Sequence, residues 1–592
     1  MSSRNVRDHR FVIGHLALLR RGRDGVKPPA MLRLAPVLAI AVLLGPILAG
    51  LLATLLPAFG WFPALGGDTV SLAPWRALLA KPGLWASAAL SFFTGLGSTL
   101  AALGIVALFV AGWSGTRAFS RFSHLVSPLL SVPHAAAAFG LAFLIAPSGW
   151  LMRLAAPLAG IERPPDWLVI GDPLGLSMSA ALVAKEAPFL LLVTLAALPQ
   201  TDWQRRMAVA TSLGYGRIAG FATTVWPTLY PQIRLAVFAV LAYATSVVDV
   251  AVILGPSAPP TLAVRLVGWM NDPDLAMRFT ASAGAVLQGL VTTAALLAWL
   301  GLERLGRLWL DRRLAGGRRG AHERLGRTLG AGAVLASALA VFAGLAVLVL
   351  WSFAGPWRFP DILPQTFTLQ NWVRAAVGAE APLRTTLAVG LLATALAAVL
   401  ATACLEREWR AGATHRKRVR DRLLALVYLP LIVPQVAFVF GLQLFALALG
   451  LRPGLALLTA VHFVFVLPYV FLSLSDPWRA WDGRLAQVAN GLGRGANGVF
   501  WRVRLPMLLR PLLAAAAVGF AVSVGQYLPT VLIGQGRLTT VTTEAVALAA
   551  GGNRRVVGTY AVLQMALPFL AFVLATLVPT LLFRNRRGLR AA

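Results

Sequence analysis

The sequence predicts an all-α, polytopic membrane protein of about twelve transmembrane helices, arranged as two parallel repeats of six. Three observations carry that prediction. Only 13% of the 592 residues are charged and 58% are apolar, giving a mean hydropathy of +0.74, whereas soluble domains carry about a quarter charged residues. Apolar runs of the length a bilayer demands, about 20 residues each, recur along the whole chain. Finally, one polar loop is written twice, some 280 residues apart. Internal self-similarity decides architecture before any single element does.

The formal charge of +31 would suggest nucleic acid in a soluble protein. Here no basic face lies on a foldable soluble domain, which excludes that partner class. The arginines gather in short segments between apolar runs, the bias of cytoplasmic loops. Cys404 is the only cysteine, so internal disulfides and cysteine metal sites are excluded. No His/Asp/Glu set has metal-ligand spacing either. Residues 1–33 are long, polar and arginine-rich, with no small-residue cleavage site after the following apolar run, unlike a signal peptide.

In chain order, the basic lead 1–33 (Arg4, Arg7, Arg10, Arg20, Arg21, Arg23, Lys27) precedes the first half, 34–302. Its spans are expected near 34–56, 86–110, 129–146, 174–198, 235–254 and 280–302. Between the third and fourth, Pro147 to Asp172 carries both charge signs, Trp150, Trp167 and Pro164-Pro165, and reads as an excursion on the outer side. Residues 303–328, dense in arginine and holding Gly316-Gly317, read as a cytoplasmic joint. The second half, 329–583, repeats the plan with spans near 329–351, 386–404, 423–449, 455–474, 512–533 and 557–583. The tail 584–592 is basic again. Six spans per half place both termini on one side, and the basic bias makes that side cytoplasmic.

The duplicated loop is Met207-Ala-Val-Ala-Thr-Ser-Leu-Gly-Tyr-Gly216, running to Trp226-Pro227, and Leu485-Ala-Gln-Val-Ala-Asn-Gly-Leu-Gly-Arg-Gly495, running to Leu505-Pro506. Ala210 and Ala489, Leu213 and Leu492, Gly214 and Gly493, Gly216 and Gly495, and Pro227 and Pro506 are all 279 apart. A second echo pairs Pro133 with Pro434 and Gly140 with Gly441, each 301 apart. The fall from 301 to 279 leaves about 22 extra residues in the first half's excursion, where loops tolerate insertion. Both loops then lie on the same side, as in parallel repeats about an axis along the membrane normal. Each loop reads as helix, sharp glycine turn, helix: a short helix across the membrane face, presented to something cytoplasmic.

These loops resemble the EAA loop of ATP-binding cassette (ABC) importer permeases, E-A-A-x3-G-x9-I-x-L-P. The second copy fits as Gln487-Val488-Ala489, Gly493, Val503, Leu505 and Pro506; the first as Ala208-Val209-Ala210, Gly214, Thr224, Trp226 and Pro227. Both lack the leading glutamate. Ser523-Val-Gly-Gln-Tyr527 and Ser246-Val-Val-Asp249 resemble the family's next helix segment. The fused two-half format resembles permeases of ferric-iron and thiamine importers. The resemblance implies the type I importer fold and a coupling loop in each half, 200–233 and 478–511. It also implies a separate ABC ATPase dimer on the cytoplasmic side, a periplasmic or extracellular solute-binding protein, and a small polar solute, with thiamine or a related molecule favoured. The place would be the bacterial inner membrane. Coupling residues carried over are Ala208, Ala210, Gly214, Gly216, Pro227, Gln487, Ala489, Gly493, Gly495 and Pro506. Independently, none of the four lysines follows a glycine, so the chain has no phosphate-binding loop of the G-x4-G-K-[ST] kind. It is expected to bind no cofactor, and ATP belongs to the partner.

Polar residues inside the apolar runs are candidates for the solute path. A charge at mid-membrane costs about 2.5–3.5 kcal/mol on insertion scales, so it faces a cavity or a partner. Lys185 and Glu186, adjacent and about 100° apart on the fourth span, serve either a pathway or pairing with another span. Asp249 in the fifth span is similar, with Gln526 as its uncharged counterpart. His462 and His134 are weaker candidates, since a lone histidine is usually a packed, hydrogen-bonded residue. Pro133, Pro188, Pro434 and Pro468 are expected inside spans, shaping the packing or acting as hinges. A different class of function, a twelve-span secondary transporter driven by an ion gradient, needs midplane carboxylates, and Glu186 and Asp249 are the obvious ones. An embedded enzyme lacks any nucleophile–base or metal set.

Overall fold

The computed structural model describes residues 30–317, 319–320, 323–411 and 426–585. The basic lead before residue 30 and the end of the tail lie outside these. The principal helices are α1 (Ala30–Ala58), α2 (Leu84–Trp113), α3 (His134–Ile145), α4 (Leu176–Ala197), α5 (Trp226–Ser246), α6 (Met277–Ala315), α7 (Arg324–Phe353), α8 (Glu380–Arg410), α9 (Gln435–Ala448), α10 (Leu455–Ala480), α11 (Leu509–Gly525) and α12 (Arg554–Leu582). Among the described residues ten single helices are long and apolar enough to cross a bilayer, and two bent pairs raise the number to twelve. Helices are the answer here because hydrocarbon offers backbone groups no partner outside their own segment.

Small side chains let these helices approach. The face α2 buries contains Ser87, Ala88, Ser91, Thr94, Gly95, Ser98, Thr99 and Ala102, a stripe at helical spacing of the kind that packs spans closely. Within each half, the second helix packs on the fourth and fifth: α2 on α4 and α5, α8 on α10 and α11. The first helix crosses over instead. α1 packs on α9 of the second half, and α7 packs on α3 of the first. Thr54 of α1 donates to the Ala437 carbonyl at 2.7 Å across the former contact.

Several boundaries differ from the sequence expectation. The third span does not begin at Leu129: a 3-10 turn, Ser127–Ser131, leads to extended Val132 and then Pro133, which caps α3. Pro434 caps α9 in the same way, after a 93° bend from Leu426–Ile432. Both prolines thus stand at breaks, because a residue before proline is driven out of the helical region. Pro188 and Pro468, in contrast, lie inside α4 and α10. The fifth spans also break early. α5 stops at Ser246 with extended Val247, α11 at Gly525 with extended Gln526, and short helices restart at Asp249 and Leu528. Asp249 therefore opens Asp249–Leu254 rather than lying in the span. The register pairs Gln526 with Val247, so Leu528, not Gln526, is the counterpart of Asp249.

The excursion 147–172 contains a helix, Trp150–Ala159. Its Arg153 donates to the carbonyls of Arg358 (2.7 Å) and Asp361 (2.9 Å) and lies 4.9 Å from the Trp357 ring, tying the excursion to the 354–367 loop. The stretch 303–328 is largely helical, shared between the end of α6 and the start of α7.

Candidate functional site

The two repeated loops fold alike. In the first, helix Trp203–Ser212 ends at Leu213, Gly214 turns left-handed at φ +80°, and Gly216 opens the helix Arg217–Gly220. In the second, helix Arg484–Gly491 ends at Leu492, Gly493 turns at φ +76°, and Gly495 opens Ala496–Val499. The closing bonds match. Gly214 and Tyr215 donate to Thr211 and Ala210, each at 3.0 Å; Gly493 and Arg494 donate to Asn490 (2.9 Å) and Ala489 (3.0 Å). This is a Schellman closure, whose left-handed position strongly favours glycine.

The equivalence continues downstream. A wide π turn occupies Phe221–Val225 in one loop and Phe500–Arg504 in the other, again 279 apart. Each leads to its proline, Pro227 or Pro506. A proline within a continuing helix lacks an N–H and crowds the carbonyl four residues back; in both loops that carbonyl belongs to the widened turn.

Each loop presents the same surface. Ala210 and Ala489 are buried, whereas Ala208 and Gln487 are exposed. Val209 (52%), Leu213 (57%), Val488 (63%) and Leu492 (77%) stand exposed at matching positions. Apolar side chains four apart share one helix face, and two such faces recur at the same places in both loops.

The loops are held differently. Around the second, Arg504 and Glu406 form a buried pair at 2.7 Å, with Arg410 on the other Glu406 oxygen at 2.7 Å. The Arg504 guanidinium carbon lies 3.6 Å from the Trp409 ring centre and 4.2 Å from that of Trp481. Around the first, Glu323 accepts from the Ile218 and Ala219 amides at 2.9 and 2.8 Å. The sequence pattern pointed to none of these anchors. Arg504 sits among loop arginines and Glu406 at the end of an apolar run, and nothing in their spacing announces the pair.

The candidate pathway residues separate into two groups. Lys185 and Glu186, both buried, point apart as helical neighbours must. The Lys185 ammonium donates to the Leu129 carbonyl at 2.6 Å, and Glu186 Oε1 meets His134 Nε2 at 3.0 Å. The His134 ring stands 4.7 Å from Tyr243, and Asp249 is buried. The His134 side chain stays 35% exposed. His462 is apart from this group. Its ring nitrogens meet Ser523 Oγ (2.9 Å) and Thr530 Oγ1 (3.0 Å), which satisfies both. Gln526 is buried at the α11 break. No group of three or more His, Cys, Asp or Glu among the described residues could hold a metal ion.

No family model matches the chain. It is 32% identical over 556 residues to the inner membrane ABC transporter permease protein YnjC of Escherichia coli (strain K12), spanning 93% of this chain and 99% of that protein. Over 232 residues, 38% of the chain, it is 28% identical to the putative 2-aminoethylphosphonate transport system permease protein PhnV of Salmonella typhimurium, covering 84% of it. Over 127 residues, 19% of the chain, it is 30% identical to the molybdenum transport system permease protein ModB of Mycobacterium tuberculosis, covering 48% of it. The end-to-end match with the first of these, on a polytopic helical fold, places the chain in a family: it belongs to the ABC transporter permeases.

Proposed function

We propose that this chain is the pore-forming subunit of an ABC importer, with 200–233 and 478–511 as coupling loops for a separate ATPase dimer. The observation that carries this reading is the duplicated loop: two Schellman-closed helices, each exposing an apolar pair (Val209 and Leu213, Val488 and Leu492) at equivalent positions. Exposed apolar groups in such a repeated setting fit a protein partner rather than water. ATP is bound and hydrolysed by that partner, and the chain itself holds no cofactor. A solute-binding protein delivers a small polar solute at the opposite face. The membrane is the bacterial inner membrane, with both termini and the joint 303–328 cytoplasmic. The ion-gradient reading explains Glu186 and Asp249 but gives the paired loops no task.

Glu186, Asp249, His134 and Lys185 line or brace the solute path between the halves. Thiamine or a related small molecule is the solute to try first, then ferric iron. Partial relatives named for 2-aminoethylphosphonate, molybdenum and spermidine/putrescine transport supply the comparison set.

The test is purification of the permease with its candidate ATPase, in wild-type form and as Gly214→Leu/Gly493→Leu. A branched side chain at φ near +80° is strongly disfavoured, so the double variant should retain at least tenfold less ATPase. Full retention of the ATPase together with full uptake of solute would sink the coupling assignment.

A further inference from the structure

We infer that the segment joining the two halves straps the first coupling loop into place, with Glu323 as the positioning residue. This rests on the coupling reading above.

The helix that opens at Gly216 has free amides at its start, as every helix does. Three of them are taken by the joint, more than a hundred residues further along the chain. Glu323 Oε2 accepts from Ile218 at 2.9 Å and Oε1 from Ala219 at 2.8 Å, while the Arg319 carbonyl accepts from Gly216 at 2.9 Å. A carboxylate at this end is also favoured by the helix dipole. The surfaces interlock through glycine on both sides. A Cβ on Gly216 would collide with the Glu323 carboxylate. One on Gly320 would come 3.0 Å from the Ala219 methyl, and one on Gly326 would come 2.9 Å from Ile218. Beyond the strap, the Arg327 carbonyl accepts from Trp113 Nε1 at 3.0 Å, fixing the start of α7 to the end of α2.

The second loop has no such arrangement among the described residues. A Cβ on Gly493 or Gly495 would meet nothing within 4 Å, and Ala496 and Asn497 are touched instead by Arg410, at the Ala496 carbonyl (3.4 Å) and Asn497 Oδ1 (3.2 Å). That loop is held from the bundle side by the buried Arg504–Glu406 pair. Among the described residues the two levers are therefore held by different contacts. The first is held by the joint between halves, with Arg217 also donating to the Ser114 carbonyl at the end of α2, and the second by the buried pair in the bundle. Loss of Glu323 frees the first loop and leaves the second in place.

The test uses the full chain with its ATPase in nanodiscs. Cys404 is the only cysteine and is buried, so Cys404→Ser followed by Val209→Cys or Val488→Cys gives one reactive thiol on either loop for benzophenone-4-maleimide. In the Glu323→Ala background, photocrosslinking to the ATPase from position 209 should fall at least fivefold, and from 488 less than twofold. Glu323→Gln, which keeps one acceptor oxygen, should restore part of the yield. Hydrogen exchange of the Ile218 and Ala219 amides should quicken at least tenfold in Glu323→Ala, with 496–500 unchanged. Equal loss at both loops, or unchanged exchange at 218–219, overturns the strap. If the wild-type background crosslinks from neither position, the coupling reading has failed, and the exchange result alone still decides whether Glu323 holds this helix.

Discussion

Gly140 of α3 and Gly344 of α7 meet backbone to backbone: a Cβ on Gly140 would stand 2.8 Å from the Gly344 carbonyl carbon, and one on Gly344 2.7 Å from that of Gly140. The same crossing is built a second time, where a Cβ on Gly441 of α9 would collide with the Gly50 carbonyl of α1. These are the two places where the first helix of one half packs on the third helix of the other. A glycine contact between the halves is therefore made twice. Bulk at either crossing should force the halves apart. Gly140→Leu and Gly344→Leu are each expected to cost about 1–3 kcal/mol or more by overpacking, seen as a lowered thermal midpoint in detergent. Gly45→Ala is the control. It lies on the same helix as Gly50 but has nothing within 4 Å, so its midpoint should not fall.

The Arg504–Glu406 pair is buried on both sides, at 1% and 3% side-chain exposure. Removing one partner of a buried pair typically costs about 3–5 kcal/mol, and Arg410, still 2.7 Å from Glu406, keeps the loss of Arg504 toward the lower end. Arg504→Ala should therefore lower the unfolding midpoint well beyond Arg484→Ala, whose partner Asp482 is exposed. Arg504→Met, which keeps apolar volume against Trp409 and Trp481 and leaves Glu406 paired with Arg410, should recover part of the loss. Thermal denaturation of the three variants side by side checks this.

Glu186 and Asp249 are both buried carboxyls, and Glu186 meets His134 at 3.0 Å. Glu186→Gln and Asp249→Asn keep shape and hydrogen bonding while removing charge. Each is expected to reduce solute uptake in proteoliposomes at least tenfold while co-purification of the ATPase stays within twofold. Uptake at the wild-type rate in both variants would remove these residues from the path.

Asp172 lies just before α4 and reaches forward to its first turn, accepting from the amides of Leu176 (2.6 Å) and Ser177 (2.9 Å) and from the Ser177 hydroxyl (2.8 Å). Burial alone would raise its pKa, but these hydrogen bonds outweigh that and hold the carboxyl below its ordinary value. A folded-state pKa that is depressed means the stabilisation is complete above the unfolded value, about 3.9, and is lost as pH falls through the lower folded value. Asp172→Ala should cost about 1 kcal/mol at neutral pH, the usual worth of a capping side chain. The gap from wild type should narrow only below about pH 4, as read by thermal unfolding across pH.

Much of the fold was legible in the sequence because hydrocarbon imposes one-dimensional rules. A span must be long, apolar and helical, so the apolar runs announce about ten to twelve crossings. The duplicated loop was legible because a left-handed turn favours glycine and a helix interrupted by proline needs relief nearby; Gly214, Gly493, Pro227 and Pro506 carry those demands in their own letters. The breaks at Val247 and Gln526 were not legible, since nothing in Ser246-Val-Val-Asp249 forbids a continuous helix. Asp249 was consequently placed inside a span and Gln526 in the wrong register.

What the sequence by itself determined, then, is the kind of object this is: a helical membrane protein with a repeated plan and two matching loops. Those properties follow from local chemistry, namely hydropathy, backbone conformation and self-similarity. Only the tertiary structure decided that α1 and α7 exchange partners between halves, that Arg504 finds Glu406, that His134 joins Glu186 while His462 is sealed by Ser523 and Thr530, and that Glu323 caps a helix more than a hundred residues away. Each of these depends on which side chains meet across distant segments. Helical periodicity tells which face a residue occupies, but not what faces it.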